Sequence, residues 1–233
     1  TSIMTIHSFC LKILKENAFE SHSLFDIELM PDRSLFLRQV SFDFFMGHVN
    51  NLDTLFLSYL SRQQITPESF AASFGSFVSR SDLVCRPSAA GFENIFDPYR
   101  ETVKKIHDIL LTRDKEIIDL IQNHNGIEKR SYSKKNVPAW LKDSCRKIDQ
   151  QGMNTFFKMT EDGDALYKFC QTRIEQKTKP GQTPPLHEFF DLCELLHSFY
   201  YQFENNLISL KIKFLVFFKK ELDKMKKAQG ICF

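Results

Sequence analysis

From Leu186 to Gln229 the chain contains neither Gly nor Pro, and this stretch constrains the fold more than any other feature of the sequence. Gly and Pro are the strongest local interrupters of a helix, so one very long helix or two stacked ones must follow, ended by Gly230. The same reasoning runs upstream. Ser8 to Asn17 reads as a helix, with Phe9, Ile13 and Leu14 as its apolar stripe and Ser8 available as N-cap. A second helix opens at Asp32 and Arg33, carries Leu35 through Phe45 and stops near Gly47, and Leu52 to Leu60 forms a third. Thr66-Pro67-Glu68 is a start signal for a fourth, with Thr as cap and Pro at the first helical position.

Arg80 to Asp97 contains Pro87, Gly91 and a Ser-Ala-Ala run, and reads as a loop or extended connection. Tyr99 to Gln122 has apolar residues at Val103, Ile106, Ile109, Leu110, Ile117, Leu120 and Ile121. That spacing predicts one long amphipathic helix, closed by Asn125-Gly126 as a left-handed cap. Gly126 to Trp140 is irregular and basic, with a short helix starting at Pro138. Glu161-Asp162-Gly163-Asp164 lacks the ligand register of a calcium loop and reads as a turn and N-cap for a helix from Ala165 to Gln176. Lys177 to Pro185, with Pro180-Gly181 and Pro184-Pro185, is the clearest internal break. No alternation is long enough for a sheet, and no heptad seam persists. The expected fold is all-α, an irregular multi-helix domain with at most a remnant strand at the N-terminus.

Composition narrows the class. The 233 residues suffice for one large helical domain or two small ones with a real core. Phe occurs 24 times, often beside Leu, which predicts an aromatic-rich interior. No apolar run reaches membrane-spanning length, and the N-terminus shows no secretory signal pattern. The six cysteines form no CxxC pair, as expected of a reduced, cytoplasmic protein without a disulfide framework. Thr1 is not an initiator Met, which suggests a segment of a longer protein.

Charge is unevenly spread. The net charge is +2, yet Gly126–Lys147 carries +5 and Lys211–Lys227 another +5, leaving −8 elsewhere. A basic stretch interleaved with Tyr132 and Trp140 suits a polyanion, since lysines follow phosphates while aromatic faces stack or pack. A solvated helix face with a basic helix C-terminus accounts for the same pattern.

Catalytic chemistry has little support. The sequence lacks a GxxxxGK[ST] phosphate loop, and no nucleophile elbow is present. Glu221, Asp223 and Lys224 imitate a nuclease carboxylate cluster, but i and i+2 positions on a helix point apart, which leaves them a solvated face. Cys193 and His197 stand one helical turn apart, with His187 nearby, but no fourth zinc ligand is evident, and packing is the simpler role. No catalytic residue and no metal ligand is assigned.

Three landmarks carry a resemblance. Thr5-Ile6-His7-Ser8-Phe9-Cys10, continued by Leu11 to Ser21 and by Leu24-Phe25, resembles a stretch of the RecB family among UvrD-like superfamily 1 helicases. Lys129-Arg130-Ser131-Tyr132-Ser133-Lys134-Lys135-Asn136-Val137-Pro138-Ala139-Trp140-Leu141 is similar to that family's basic segment leading to N-[LV]-P-x-W-L. Lys219 to Phe233 looks like the basic helix that precedes its F-D-D-[LM]-L motif. Ser8 stands where the wider family often has Gly, although Ser is also common there.

The resemblance implies a 1B-type helical insertion over 8–230, subdivided near 177–185. It would be flanked by the end of a RecA-like domain 1A strand at 1–7 and the return to that domain at 231–233. Thr1 to Ile6 would be displaced or frayed without its sheet. The parent would be an ATP- and Mg-dependent helicase and exonuclease of double-strand break repair and recombination, with RecC and RecD subunits and DNA as partners. Its ATP and metal sites would lie outside this chain, which itself would catalyse nothing. By the same resemblance Thr5 and His7 would touch the translocating strand, although a helix-capping pair explains them equally well. Lys129, Arg130, Lys134 and Lys135 would grip duplex phosphates, with Tyr132 and Trp140 stacking or packing beside them. A scaffold docking on RecC and RecD is the alternative.

Overall fold

The computed structural model describes residues 5–17, 33–75, 92–154, 156–157, 159 and 164–229. Among them there is no strand or sheet, and the architecture is all-α. Nine helices follow in order: α1 Ile6–Glu16, α2 Arg33–Phe44, α3 Thr54–Arg62, α4 Pro67–Phe74, α5 Phe96–Thr112, α6 Asp114–Asn123, α7 Asn136–Gln151, α8 Gln171–Gln176 and α9 Glu188–Gln229. No helix among the described residues is long and apolar enough to cross a membrane.

Several boundaries differ from those expected. The first helix opens at Ile6, two residues earlier than expected, because Thr5 is extended and its Oγ1 accepts from Ser8 N at 3.3 Å. Ser8 is therefore inside the first turn, its hydroxyl bonded to Thr5 Oγ1 at 2.9 Å. Gly47 does not stop the second helix, which widens into a π-helical turn over Phe45–Val49 with Asn50 as its C-cap. The third starts at Thr54, where Asp53 caps Leu55 N at 2.8 Å. The fourth has the expected start: Thr66 and Ser69 cap each other's backbone reciprocally ahead of Pro67.

The long helix from Tyr99 to Gln122 is two helices. They part at Arg113, whose backbone leaves the helical region and whose side chain turns to Glu116, Glu188 and His187. α6 ends on an extended His124, and Gly126 does not adopt positive φ. Gly126 instead allows close approach, since a Cβ there would lie 2.8 Å from Gln182 Cβ. α7 starts two residues before Pro138 and runs to Gln151, far from the short helix expected. Ala165–Phe169 is a 3₁₀ turn, separated from α8 by an extended Cys170, and Asp164 makes no side-chain cap. The Glu161–Gly163 turn and the Gly230 stop lie outside the described residues.

The chain forms two compact units. The first comprises 1–52, 64–90 and 209–233, the second 53–63 and 91–208, so the Pro-rich break at 177–185 falls inside the second. The interior of the first is a Phe cluster: Phe214 packs at 5.1–5.3 Å from the rings of Phe44, Phe70 and Phe74, and Phe45 meets Phe70 edge-on at 5.2 Å. The second centres on Phe203, whose ring lies 5.0–5.4 Å from Tyr59, Tyr99 and Phe157. Two of its buried polar groups are paired across the unit, whereas the Tyr99 hydroxyl and Gln171 Oε1 have no hydrogen-bond partner among the described residues. Tyr59 donates to Glu204 at 2.6 Å, and Asn206 exchanges two hydrogen bonds with the Glu93 backbone. Asp53, besides capping α3, holds Arg100 of α5 at 2.5 Å.

Candidate nucleic-acid interface

The basic connection between α6 and α7 is anchored on both sides. Glu128 N donates to Lys177 O and Lys179 N to Gly126 O, both at 2.9 Å, around an isolated bridge between Ile127 and Thr178. The Glu128 carboxylate accepts from Ser131 Oγ at 3.0 Å and pairs with Lys177 at 3.2 Å. Both partners, Lys177 foremost, hold its pKa below the usual carboxylate range. Ser133 Oγ accepts from Asn136 N at 3.1 Å and so opens α7.

On this frame the expected phosphate-binding residues separate. Arg130, Lys134 and Lys135 are exposed and make no ion pair among the described residues. Lys129 does something else. Its ammonium donates to the carbonyls of Ile121 at 3.0 Å and Gln122 at 2.6 Å, closing the C-terminal end of α6. Burial, followed by the nearby Lys179 and Lys134, lowers its pKa. Lys129 is thus a helix cap, and the expected grip narrows to three side chains.

Tyr132 is 2% exposed and donates its hydroxyl to Lys168 O. Burial raises its pKa further above the ordinary phenol range. It packs edge-on against Trp140 at 5.7 Å, and Trp140 meets Phe169 at 6.0 Å. Of the two aromatics only Trp140 retains partial exposure, and the Lys168 ammonium sits 5.4 Å from its ring centre. Tyr132 therefore belongs to the core and cannot stack on a base. Around the pair lies an open pocket of about 310 Å³, lined by Ser131, Asn136, Lys168, Arg173 and Lys177 as well. Sequence reasoning missed this rim. Lys168, Arg173 and Lys177 are distant in the chain, and only the pairing of 126–128 with 177–179 brings them beside the basic connection.

Thr5 uses its hydroxyl as the α1 cap, and His7 stands in the first turn of that helix. The contact expected of the His7 side chain, and the landmark residues 18–21, 24–25 and 230–233, lie outside what is described. The second basic segment forms part of α9, where Lys224 pairs with Glu221 at 2.6 Å on a solvated face. His187, Cys193 and His197 do not assemble as ligands: His187 faces Glu116 at 3.3 Å, Cys193 is fully buried, and His197 packs on Tyr167 at 5.1 Å.

No family model matches the chain. The RecBCD enzyme subunit RecB of Escherichia coli (strain K12) is 24% identical over 197 residues, covering 84% of this chain and 16% of that protein. RecB of Buchnera aphidicola subsp. Baizongia pistaciae (strain Bp) is also 24% identical, over 163 residues, or 69% of this chain and 14% of its own length. The chain spans less than a fifth of the curated relatives it matches. Predominantly helical in its described residues, the chain is RecB-like over most of its length, being similar to these two subunits.

Proposed function

We propose that this segment is the helical 1B-type insertion of a RecB-like subunit. It grips duplex DNA for an ATP-driven helicase and exonuclease that works with RecC- and RecD-like partners in recombinational repair. The observation that carries this reading is the cluster of exposed, unpaired cations at Arg130, Lys134 and Lys135 on an anchored connection, with Lys179 close by. The pocket formed by Ser131, Asn136 and Trp140 of the same connection adds Lys168, Arg173 and Lys177. Such a surface binds phosphates by releasing counterions and reads no sequence. The segment contributes binding, and the motor and nuclease chemistry belongs to the rest of the subunit.

The test is the salt dependence of duplex binding. Each lost phosphate contact should flatten the slope of log affinity against log salt by about 0.9. Arg130→Ala, Lys134→Ala and Lys135→Ala together should flatten it by up to roughly three times that amount. An unchanged slope in the triple variant rejects the grip.

A second reading, docking on neighbouring protein surfaces, draws on α1. Its apolar stripe of Ile6, Phe9 and Ile13 is 73%, 53% and 41% exposed, an arrangement suited to burial against a protein surface. The two readings concern different residues and are compatible. Substituting all three with Ser should leave duplex binding intact and weaken only association with protein partners.

A further inference from the structure

Away from the basic face, α5 and α7 bring three different donor types to one spot. His107 Nε2 lies 2.9 Å from Asp149 Oδ1, and Cys145 Sγ lies 3.9 Å from Asp149 Oδ2. All three donor atoms fall within 4.8 Å of one another, the sole such group of three or more among the described residues. Cys145 and Asp149 stand one helical turn apart on α7 and so share a face, while His107 comes from the packed helix opposite. We infer that His107, Cys145 and Asp149 form a binding site for a borderline divalent transition metal of the zinc class, bridging α5 and α7.

The chemistry of the donor set selects the metal. An imidazole nitrogen, a thiolate sulfur and a carboxylate oxygen are each ordinary zinc ligands, whereas magnesium and calcium require oxygen donors throughout. Tetrahedral coordination at about 2.0–2.3 Å per ligand places neighbouring donors roughly 3.4–3.7 Å apart. The present spacing, 2.9 and 3.9 Å for the two contacts of Asp149 and within 4.8 Å for all three donors, brackets that range. Three protein ligands leave a fourth position for water. Burial, followed by Asp149 and Asp114, raises the pKa of the Cys145 thiol, which the bound metal must overcome. Binding releases the thiol proton of Cys145 to solvent. The aqueous ion exchanges water ligands for the three side chains, and no redox partner is involved.

The site is exposed enough for exchange: the His107 and Asp149 side chains are 26% and 55% exposed. A simple His–Asp ion pair explains the 2.9 Å contact but gives no reason for a thiol on the same face, and the two accounts differ in what Co²⁺ would do.

The experiment is a titration of the reduced, chelator-free chain with Co²⁺, followed by competition with Zn²⁺. The expected result is one equivalent bound, with a thiolate-to-cobalt absorption band in the near ultraviolet that Zn²⁺ abolishes. Cys145→Ser and His107→Gln should each lose that band. Their affinity should drop by more than the roughly 10–100-fold that outer-shell changes cost, with far-ultraviolet circular dichroism unchanged. Absence of the band in the parent chain, or its survival in either variant, overturns the site; survival in Cys145→Ser would trace the metal to the other cysteines. Two variants on different helices keep the test decisive should one of them misfold.

Discussion

Lys129 places its ammonium against the carbonyls of Ile121 and Gln122, where the C-terminal end of α6 concentrates negative potential. A positive charge there stabilises the helix, and it is no longer available to a phosphate. Lys129→Met should therefore lower the melting temperature, at a cost of about 1 kcal/mol, and leave the salt slope of duplex binding nearly unchanged. Lys134→Ala and Lys135→Ala should do the reverse. Thermal denaturation beside the salt titration separates the two roles; a flattened slope in Lys129→Met would return it to the grip. The sequence could show that this stretch is basic, but which lysine is consumed by a helix end depends on where α6 stops. Tyr132 makes the same point. Its position among lysines suits stacking, and only the fold reveals that its hydroxyl closes on Lys168 O in the interior.

At the scale of elements, the corner at Arg113 decides the shape of the middle of the second unit. No Gly or Pro interrupts Tyr99 to Gln122, so nothing local forbids one helix. The break arises from long-range pairing: Arg113 reaches Glu116 at 2.8 Å in its own turn and Glu188 at the start of α9, and His187 joins Glu116 at 3.3 Å. Both Glu116 and Arg113 shift in the direction of mutual stabilisation, the hydrogen bond between them being the largest cause. A carboxyl whose pKa is lower folded than unfolded contributes stability that is complete above its unfolded value, about 4.3. That stability is lost as pH falls through the folded value. Glu116→Gln should therefore reduce the melting temperature near neutral pH and lessen its further drop below about pH 4. Melting curves across that range check this, and an acid limb as steep as the parent's would show that the corner contributes nothing. The fourth helix is the contrast. Its Thr66-Pro67 start is written in adjacent residues because a capping box is satisfied locally.

At the scale of the molecule, α9 supplies core residues to both units: Phe199, Phe203 and Leu207 to the second, Leu210, Phe214 and Phe218 to the first. Removing a buried Phe costs roughly 3–5 kcal/mol, so its loss should be felt first in the unit it fills. Phe214→Ala should speed amide hydrogen exchange in α2 and α4, and Phe203→Ala in α3 and α5. Equal acceleration everywhere in both variants would mean that the units unfold as one. What the sequence by itself determined is the all-α class, the helical course of the stretch that forms α9, the local start of α4 and the two basic segments. These follow from Gly/Pro punctuation, apolar periodicity and charge, each of which acts between near neighbours. The tertiary structure alone decided the corner at Arg113, the interrupted course of 165–176, the burial of Tyr132, the capping role of Lys129 and the meeting of His107 with Cys145 and Asp149. Each of those depends on residues far apart in the chain, whose proximity is set by which faces bury together and not by any local signal.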